Sequence, residues 1–156
     1  MENKTNVMRI LEKANIEYKS YKCSSNQFTS AEEISKTLGI DSNREFKTLV
    51  TIGKSHDFYV FVVPSSKELD LKKAAKTVGE KNIEMIPMKS LLQTTGYIHG
   101  GCSPIGMKKN FVTVIDASAQ NFQSIVFSAG RVCELVDVGI SDIPKVLKFT
   151  YADITK

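Results

Sequence analysis

The sequence predicts an α/β fold of the α+β type, in which helices flank a mixed and strongly bent β-sheet. The predicted elements run α-β-α-β-β-α-β-α-β-β-β-α, which departs from the strict βαβ rhythm of a doubly wound sheet. One run of two strands and one of three occur without intervening helices, which favours a sheet that bends on itself and could close into a barrel. The 156 residues suit one core, so we expect a single domain over 1–156.

Helices and strands alternate at the start of the chain. Apolar residues at helical spacing predict a first helix within the first 14 residues. The alternating stretch IEYKSY at 16–21 predicts a strand. Ser30 and Glu33 have the spacing of a capping box at the start of a second helix, and Gly39 ends that helix.

The central segment predicts a hairpin followed by a helix. REFKTLVTI at 44–52 alternates as a strand, GKSHD turns the chain, and FYVFVVP at 58–64 returns as a buried strand. Asp70 is placed to cap the next helix, and Gly79 is placed to end it. The remaining predicted elements are a strand at 83–86, a short helix at 88–94, strands at 111–116, 124–129 and 132–138, and a last helix that Ser141 caps and that runs through Val146 and Leu147.

Composition favours a soluble cytoplasmic protein. The longest apolar run, FYVFVV at 58–63, is too short to span a bilayer, and charged residues interrupt the first 20 positions, where a signal peptide would be apolar. The three cysteines are widely spaced and form no CxxC motif, which predicts a reducing compartment and no disulfide. The net charge of +4 is too small to indicate a nucleic-acid partner by itself.

A glycine-rich loop, TGYIHGGCSPIGMKKN at 95–110, is the most unusual segment, with four glycines around Pro104. Glycines let a backbone come close to another group. Gly101 and Gly106 have the spacing of a phosphate-binding P-loop, but Met107 and Lys108 follow where Lys and Ser/Thr are required, and a strand follows where a helix is required. The P-loop interpretation therefore fails.

Other candidate chemistry is weak on pattern alone. His56 and His99 lack partners at metal-ligand spacing, so a metal site is not expected. Cys102 and His99 could form a nucleophile and base, but no third group orients them, and a small, partly buried cysteine is the simpler interpretation. Lys47 lies on the face of its strand opposite Phe46 and Val50, where either a surface position or a cavity fits the pattern.

Lysines on the predicted third helix and around the glycine loop could form a basic rim for phosphates. Glu80 and Glu84 interrupt this set, and a solvated surface explains it equally well. The lysines concerned are Lys72, Lys73, Lys76, Lys81, Lys89, Lys108 and Lys109.

Five motifs in register resemble the YbaK/EbsC family, whose members are free-standing relatives of the prolyl-tRNA synthetase editing domain. They are FKTLV at 46–50, LDLKKAAKTVG at 69–79, TGYIHGGCSPIGMKK at 95–109, SIVFSAGR at 124–131 and ISDIPKVL at 140–147. The resemblance implies a barrel-like mixed sheet and an enzyme that removes a wrongly attached amino acid from tRNA, best known as cysteine on tRNA(Pro). It implies no metal or other cofactor.

The resemblance also assigns candidate residues. Lys47 in FKT would be the essential lysine, and Gly101 would belong to the loop that lines the aminoacyl pocket. The other substrate-binding candidates are Tyr21, Phe28, Thr48, Gly100, Ser103, Pro104, Ser128 and Asp142. The tRNA-binding candidates are Lys72, Lys73, Lys108 and Lys109. Cys102 occupies a position that many members fill with Ile or Val, which argues against its being a nucleophile.

The mechanism that the resemblance implies needs no nucleophile from the enzyme. The thiol of the attached cysteine, with a free pKa of about 8.5, would cyclise onto its own ester carbonyl and leave as a cyclic thioester. Lys47 would orient or polarise the ester, and amides of the glycine loop would face the developing oxyanion. Two alternatives remain: a water-based deacylase of another small aminoacyl-tRNA such as Ala-tRNA, and a non-catalytic module that binds tRNA or a synthetase. The expected partners are the aminoacylated 3′ end of tRNA and prolyl-tRNA synthetase.

Overall fold

The computed structural model describes residues 3–23 and 31–156, apart from the side chains of 31, 32 and 34. The helices are α1 (Asn6–Lys13), α2 (Ala31–Leu38), α3 (Leu71–Val78) and α4 (Leu91–Thr95), with 3₁₀ turns at Met88–Ser90, Ala117–Asn121 and Ile143–Lys145. The strands are β1 (Tyr18–Lys22), β2 (Phe46–Gly53), β3 (Phe58–Pro64), β4 (Ile83–Met85), β5 (Val112–Asp116), β6 (Ser124–Arg131), β7 (Glu134–Gly139) and β8 (Thr150–Ala152).

The larger sheet is mixed and has the order β4-β2-β3-β5-β8. The predicted hairpin is confirmed: β2 and β3 pair antiparallel from Phe46 opposite Pro64 to Ile52 opposite Phe58. Strand β5 pairs parallel with β3 on one side and with β8 on the other. Because β2–β4 is again antiparallel, both pairing modes occur in one sheet, as the sequence predicts.

The smaller sheet is antiparallel and has the order β1-β7-β6. It meets the larger sheet at an isolated parallel bridge between Glu45 and Val126, where the Val126 amide donates to the Arg44 carbonyl at 3.0 Å. The described strands thus form two sheets that join at this bridge and do not close into a barrel. The class is confirmed, and closure into a barrel is wrong. We call the region around the bridge the sheet junction, defined by residues 44–48, which lead into β2, and residues 126–128 of β6.

The core has three apolar clusters. The main one combines α1 with residues from both sheets, including Phe46 and Val50 of β2 and Phe127 of β6. The second lies under α3 and includes Phe61 and Val63 of β3. The third covers the other face of the smaller sheet. It contains Cys23, Ile40, Val126, Cys133 and Leu135.

Helix α3 begins and ends as the sequence predicts. The Asp70 side chain accepts hydrogen bonds from the amides of Lys72 and Lys73 at 3.0 and 3.1 Å. The bond from Lys73, then that from Lys72, lowers the pKa of the Asp70 carboxyl. Gly79 ends the helix in the left-handed conformation at φ 77°. Gly39 likewise follows α2 at φ 72°. The predicted capping box of α2 involves Ser30, which lies outside the described residues.

The predicted last helix is wrong. Only a 3₁₀ turn forms at Ile143–Lys145, and the Asp142 side chain makes no cap hydrogen bond to it. Pro144 occupies an early position in the turn, and the chain then extends into β8, where Thr150 pairs with Val114. Phe149 and Tyr151 stack edge to face on the main cluster, which favours the extended strand over another helical turn.

The prediction that no disulfide forms is also wrong. Cys23 and Cys133, 110 residues apart, are joined as a disulfide with their Cα atoms 5.3 Å apart. The pairing of Lys22 with Glu134 places the two cysteines at neighbouring strand ends, and the Cys23 amide donates to the Cys133 carbonyl at 3.0 Å. Sequence spacing carries no information about this long-range strand pairing, so counting cysteines could not find the bond.

Candidate functional site

Lys47 lies on β2 beside the sheet junction. It pairs with Val63 of β3 and is half-buried, while Phe46 and Val50, on the opposite face, lie in the main cluster. This alternation confirms the face that the sequence assigns to Lys47. Among the ion pairs of the described residues, Lys47 takes part in none. The strand therefore presents a cation that is partly shielded from water and not neutralised by a neighbouring carboxylate.

Two buried polar atoms without hydrogen-bond partners flank Lys47. They are Oε1 of Glu45 and Oγ1 of Thr48, and in the described residues the only other such atom is the Tyr151 hydroxyl. Buried polar groups in folded proteins are nearly always paired, so unpaired groups commonly mark a ligand or functional site. Thr48 is a sequence-predicted candidate, but by strand alternation it shares the face of Phe46 and Val50, opposite Lys47. For Glu45, strand alternation in the sequence predicts that it shares a face with Lys47, but the sequence assigns it no role.

Ser128 lies across the junction from Lys47. Glu45 is bridged to Val126, so Lys47 and Ser128 both lie two residues beyond the bridge on strands that run in the same direction. The Ser128 hydroxyl accepts a hydrogen bond from the Gly130 amide at 3.1 Å and keeps a proton to donate. Ser128 is only half-buried, so that donor can reach a bound molecule.

Tyr21 lies in the same row of the smaller sheet as Ser128. Tyr21 pairs with Leu135 of β7, and Leu135 pairs with Ser128 of β6, so the three side chains share one face. At the usual strand spacing, Tyr21 and Ser128 are about 10 Å apart. Tyr21 packs against the third apolar cluster. Phe28, another candidate, lies outside the described residues.

The glycine loop packs against the β6–β7 turn. A Cβ atom on Gly101 would lie 3.0 Å from the backbone of Arg131 and Val132, so this glycine makes room for protein backbone. Its amide already donates to the Ile98 carbonyl at 3.0 Å. Gly100 lies at φ 86°, and a Cβ atom on it would lie 3.6 Å from the Val132 side chain. The expected oxyanion contact from the Gly101 amide is therefore occupied by the loop itself.

The hydroxyls of Ser103 and Tyr97 also have hydrogen-bond partners within the loop. The fully buried Ser103 hydroxyl accepts from the Ile105 amide at 3.3 Å, and Pro104 is buried beside it. The Tyr97 hydroxyl donates to the Ile105 carbonyl at 2.5 Å, and burial raises its pKa to about 12. Burial likewise raises the pKa of the Cys102 thiol to about 12, so this free cysteine is protonated at neutral pH. That state supports the structural interpretation of Cys102.

Asp142 is not brought to this site. It follows Gly139, which pairs with Ser124 at the opposite end of the β6–β7 hairpin from Ser128. Four residues of strand separate Ser124 from Ser128, a distance of about 13 Å. The Asp142 carboxylate pairs with the Lys145 ammonium at 2.7 Å.

The four candidate tRNA-binding lysines occupy two places. Lys72 and Lys73 lie on exposed positions of α3, where the Lys73 ammonium contacts Asp153 at 3.2 Å and the Thr155 carbonyl at 2.8 Å. Lys108 and Lys109 lie near the end of the glycine loop, and the Lys108 stem lies beside Gly96. Lys73 is therefore partly neutralised, whereas Lys72 and Lys109 are solvated.

Two surface cavities lie elsewhere. One of about 320 Å³ is lined by residues including Pro64, Lys67 and Phe122, and one of about 270 Å³ by residues including Phe58 and Ile86. Neither cavity is lined by an acidic side chain together with a basic or nucleophilic one. Within 3–23 and 31–156, no three metal-ligating side chains cluster, and no helix has the length and apolar character to cross a membrane. The unpaired polar atoms around Lys47, rather than cavity size, identify the candidate site.

The chain is similar in sequence to known proteins. A family model described as an aminoacyl-tRNA editing domain matches residues 25–146. EbsC of Enterococcus faecalis, named as a candidate Cys-tRNA(Pro)/Cys-tRNA(Cys) deacylase, is 44% identical over 99% of this chain and 94% of that protein. The proline–tRNA ligase of Thermosipho melanesiensis is 29% identical over 62% of this chain, but that match covers only 17% of the ligase.

Solved structures show the same fold. A candidate trans-editing enzyme for prolyl-tRNA synthetase matches with a TM-score of 0.82 at 20% identity, over 99% of both chains. The hypothetical protein APE2540 matches with a TM-score of 0.85 at 18% identity, over 96% of this chain and 99% of that one. At these identities the likeness establishes the fold alone.

Proposed function

This chain belongs to the aminoacyl-tRNA editing domain family, and from that premise we propose that it removes cysteine from mischarged Cys-tRNA(Pro), and also from Cys-tRNA(Cys). The similarity to EbsC over nearly the whole chain supports this choice of substrate. The structural observation that carries the proposal is Lys47, a half-buried lysine in no ion pair of the described residues, with the unpaired Glu45 carboxyl on the same face of the strand.

The reaction we propose uses the nucleophile of the substrate. The cysteine thiol attacks its own ester carbonyl, a C–S bond forms as the C–O bond to the terminal ribose breaks, and the thiol proton ends on the ribose oxygen. The products are a cyclic thioester and tRNA with a free 3′ end. Holding reactants in place can lower a barrier by about 7–11 kcal/mol, so the enzyme can act mainly by positioning.

Lys47 acts on the carbonyl in this proposal. Negative charge develops on the carbonyl oxygen as the thiol attacks, and a cation held in a partly desolvated site stabilises that charge more strongly than one in water. We assign this stabilisation to Lys47, because the Gly101 amide already donates to the Ile98 carbonyl. The Ser128 hydroxyl orients the ester and ribose, and Tyr21 and Gly100 border the site.

Further contacts hold the tRNA. We assign Lys72, Lys73, Lys108 and Lys109 to its phosphates, because lysines position nucleic acids without reading sequence. The similarity to part of a proline–tRNA ligase supports prolyl-tRNA synthetase as a partner. A charged tRNA substrate supports a cytoplasmic location. The Cys23–Cys133 disulfide is unusual for such a reducing compartment.

A deacylation assay tests this function. Labelled amino acid is followed on tRNA(Pro) charged with cysteine, alanine, serine or proline, and on tRNA(Cys) charged with cysteine. We expect the cysteine esters to be lost fastest, because the serine hydroxyl is a much weaker nucleophile than a thiol at neutral pH. Equal rates for cysteine and serine, or faster loss of alanine, would favour a water-based hydrolase. No loss of any amino acid would favour a binding module.

A further inference from the structure

The carboxyl of Glu45 is the most unusual polar group of the sheet junction. The residue is 2% exposed, and its Oε1 atom has no hydrogen-bond partner. Burial raises the pKa of this carboxyl to about 8. A buried carboxyl without a partner destabilises the fold, and such a group is commonly kept for a ligand.

Two polar residues close to Glu45, Arg44 before it and Ser65 just after β3, have other partners. Arg44 donates to Asp137 at 3.0 Å and to the Ser124 hydroxyl at 3.1 Å. Ser65, whose amide donates to the Glu45 carbonyl, donates its hydroxyl to the Ser42 carbonyl at 3.0 Å. Among the ion pairs of the described residues, the Glu45 carboxyl takes part in none, although a buried acid is normally paired.

Glu45 and Lys47 are arranged for one small ligand. They are two residues apart on the same face of an extended strand, about 6.6 Å along its axis. An aminoacyl ester carries its α-ammonium group on the carbon next to the ester carbonyl. A single aminoacyl group can therefore place its carbonyl oxygen near the Lys47 ammonium and its own ammonium near the Glu45 carboxyl.

We infer that Glu45 binds the α-ammonium group of the aminoacyl ester and thereby fixes the carbonyl against Lys47. The inference rests on the proposed deacylase function and adds a substrate-positioning residue to it. Binding of the ammonium draws the Glu45 proton into solution and leaves an ion pair where the carboxyl had no partner. The same contact selects esters with a free amino group over N-blocked ones.

A metal ion does not explain Glu45 equally well. Divalent cations in proteins take several oxygen or nitrogen ligands, and no group of three candidate side chains occurs in the described parts of the chain. A substrate ammonium needs only one carboxylate and a few hydroxyl or carbonyl acceptors. A single buried carboxyl therefore fits an ammonium group better than a metal ion.

The test measures binding without catalysis. The probes are two short acceptor-stem RNAs that end in a non-hydrolysable 3′-cysteinylamide, one with a free amino group and one N-acetylated. The wild-type protein should bind the free-amine probe about 10- to 100-fold more tightly, as expected for a hydrogen bond to a charged group. Glu45→Gln should bind both probes equally, whereas Glu84→Gln, at an exposed position of β4, should behave as wild type.

Two results would overturn the inference. One is a wild-type protein that binds both probes equally, which needs no variant and does not depend on deacylation. The other is a Glu45→Gln protein that still prefers the free amine. A positioning role also predicts a higher thermal midpoint for Glu45→Gln, because an unpaired buried acid is removed. A lower midpoint together with weaker binding of both probes would instead assign Glu45 a structural role.

Discussion

The glycine loop and the β2 region differ in whether their polar groups have hydrogen-bond partners. In the loop, the Gly101 amide and the hydroxyls of Tyr97 and Ser103 all have internal partners. At the start of β2, Glu45 and Thr48 each hold a buried polar atom without a partner in the described residues. The three loop groups are thus paired, whereas the two atoms of the strand region are not. This difference supports our proposal that the chemistry lies on the strand and that the loop serves as framework.

Replacing Lys47 should have the largest effect on activity. Lys47→Ala should lower kcat for Cys-tRNA(Pro) by at least about 10²–10³-fold, as for the loss of an oxyanion donor, and leave the thermal midpoint close to wild type. Lys47→Arg should restore little, because a planar guanidinium does not reproduce a point ammonium. The control is Lys19→Ala, an exposed lysine of β1. A fully active Lys47→Ala protein would contradict the assignment of the chemistry to β2.

A methyl group at Gly101 should affect stability more than chemistry. The added Cβ would meet the backbone of Arg131 and Val132 at 3.0 Å, and overpacking of this kind costs about 1–3 kcal/mol of unfolding free energy. Chemical denaturation measures the loss, and single-turnover kinetics on the folded fraction should give a rate within a few fold of wild type. Gly39→Ala, at φ 72° with no atom within 4 Å, measures left-handed backbone strain without a clash, whereas Gly101 is not at positive φ and should show the clash alone. A more than tenfold slower chemical step in folded Gly101→Ala would return the oxyanion role to the loop.

Local patterns predict the fold well where the signal lies within a few residues. The β2–β3 hairpin and the Asp70 and Gly79 caps follow from alternation and capping chemistry. Strand β8 and the Cys23–Cys133 bond depend on partners far along the chain, and no local pattern encodes them. The last helix was predicted from spacing that Pro144 and the packing of the following aromatic residues override.

The candidate site divides in the same way. Motif resemblance finds Lys47, and alternation gives its face, but neither shows that the Glu45 carboxyl is buried without a partner. That property depends on how β2 meets β6 and on where Arg44 directs its guanidinium, which are both consequences of tertiary packing. In the sequence, the only hint of this buried carboxyl is that charged residues interrupt a largely apolar stretch, EFKTLV at 45–50.

The surface lysines should have a moderate effect on substrate binding. Replacing Lys72, Lys73 and Lys108 with Gln should raise the Michaelis constant several-fold and change kcat little, because these groups position tRNA and do not touch the ester. The slope of log affinity against log salt should become less negative by up to about 2, at about 0.7 for each phosphate contact. The matched control replaces the exposed Lys19, Lys22 and Lys36. Equal salt dependence in both triple variants would remove the basic rim from the binding model.

Cys102 should show the smallest effect, and it tests the comparison from the side of the loop. Its thiol is buried in the main cluster with a pKa of about 12, so almost none is ionised at neutral pH. Cys102→Ser should keep deacylation within a few fold of wild type, with a modest loss of stability because a hydroxyl replaces a buried thiol. Cys102→Ala should retain activity as well. Comparing the two variants distinguishes a chemical effect of losing the thiol from an effect of altered packing. If both variants fold but neither deacylates Cys-tRNA(Pro), the nucleophile belongs to the loop, and the strand serves only to hold the substrate against it.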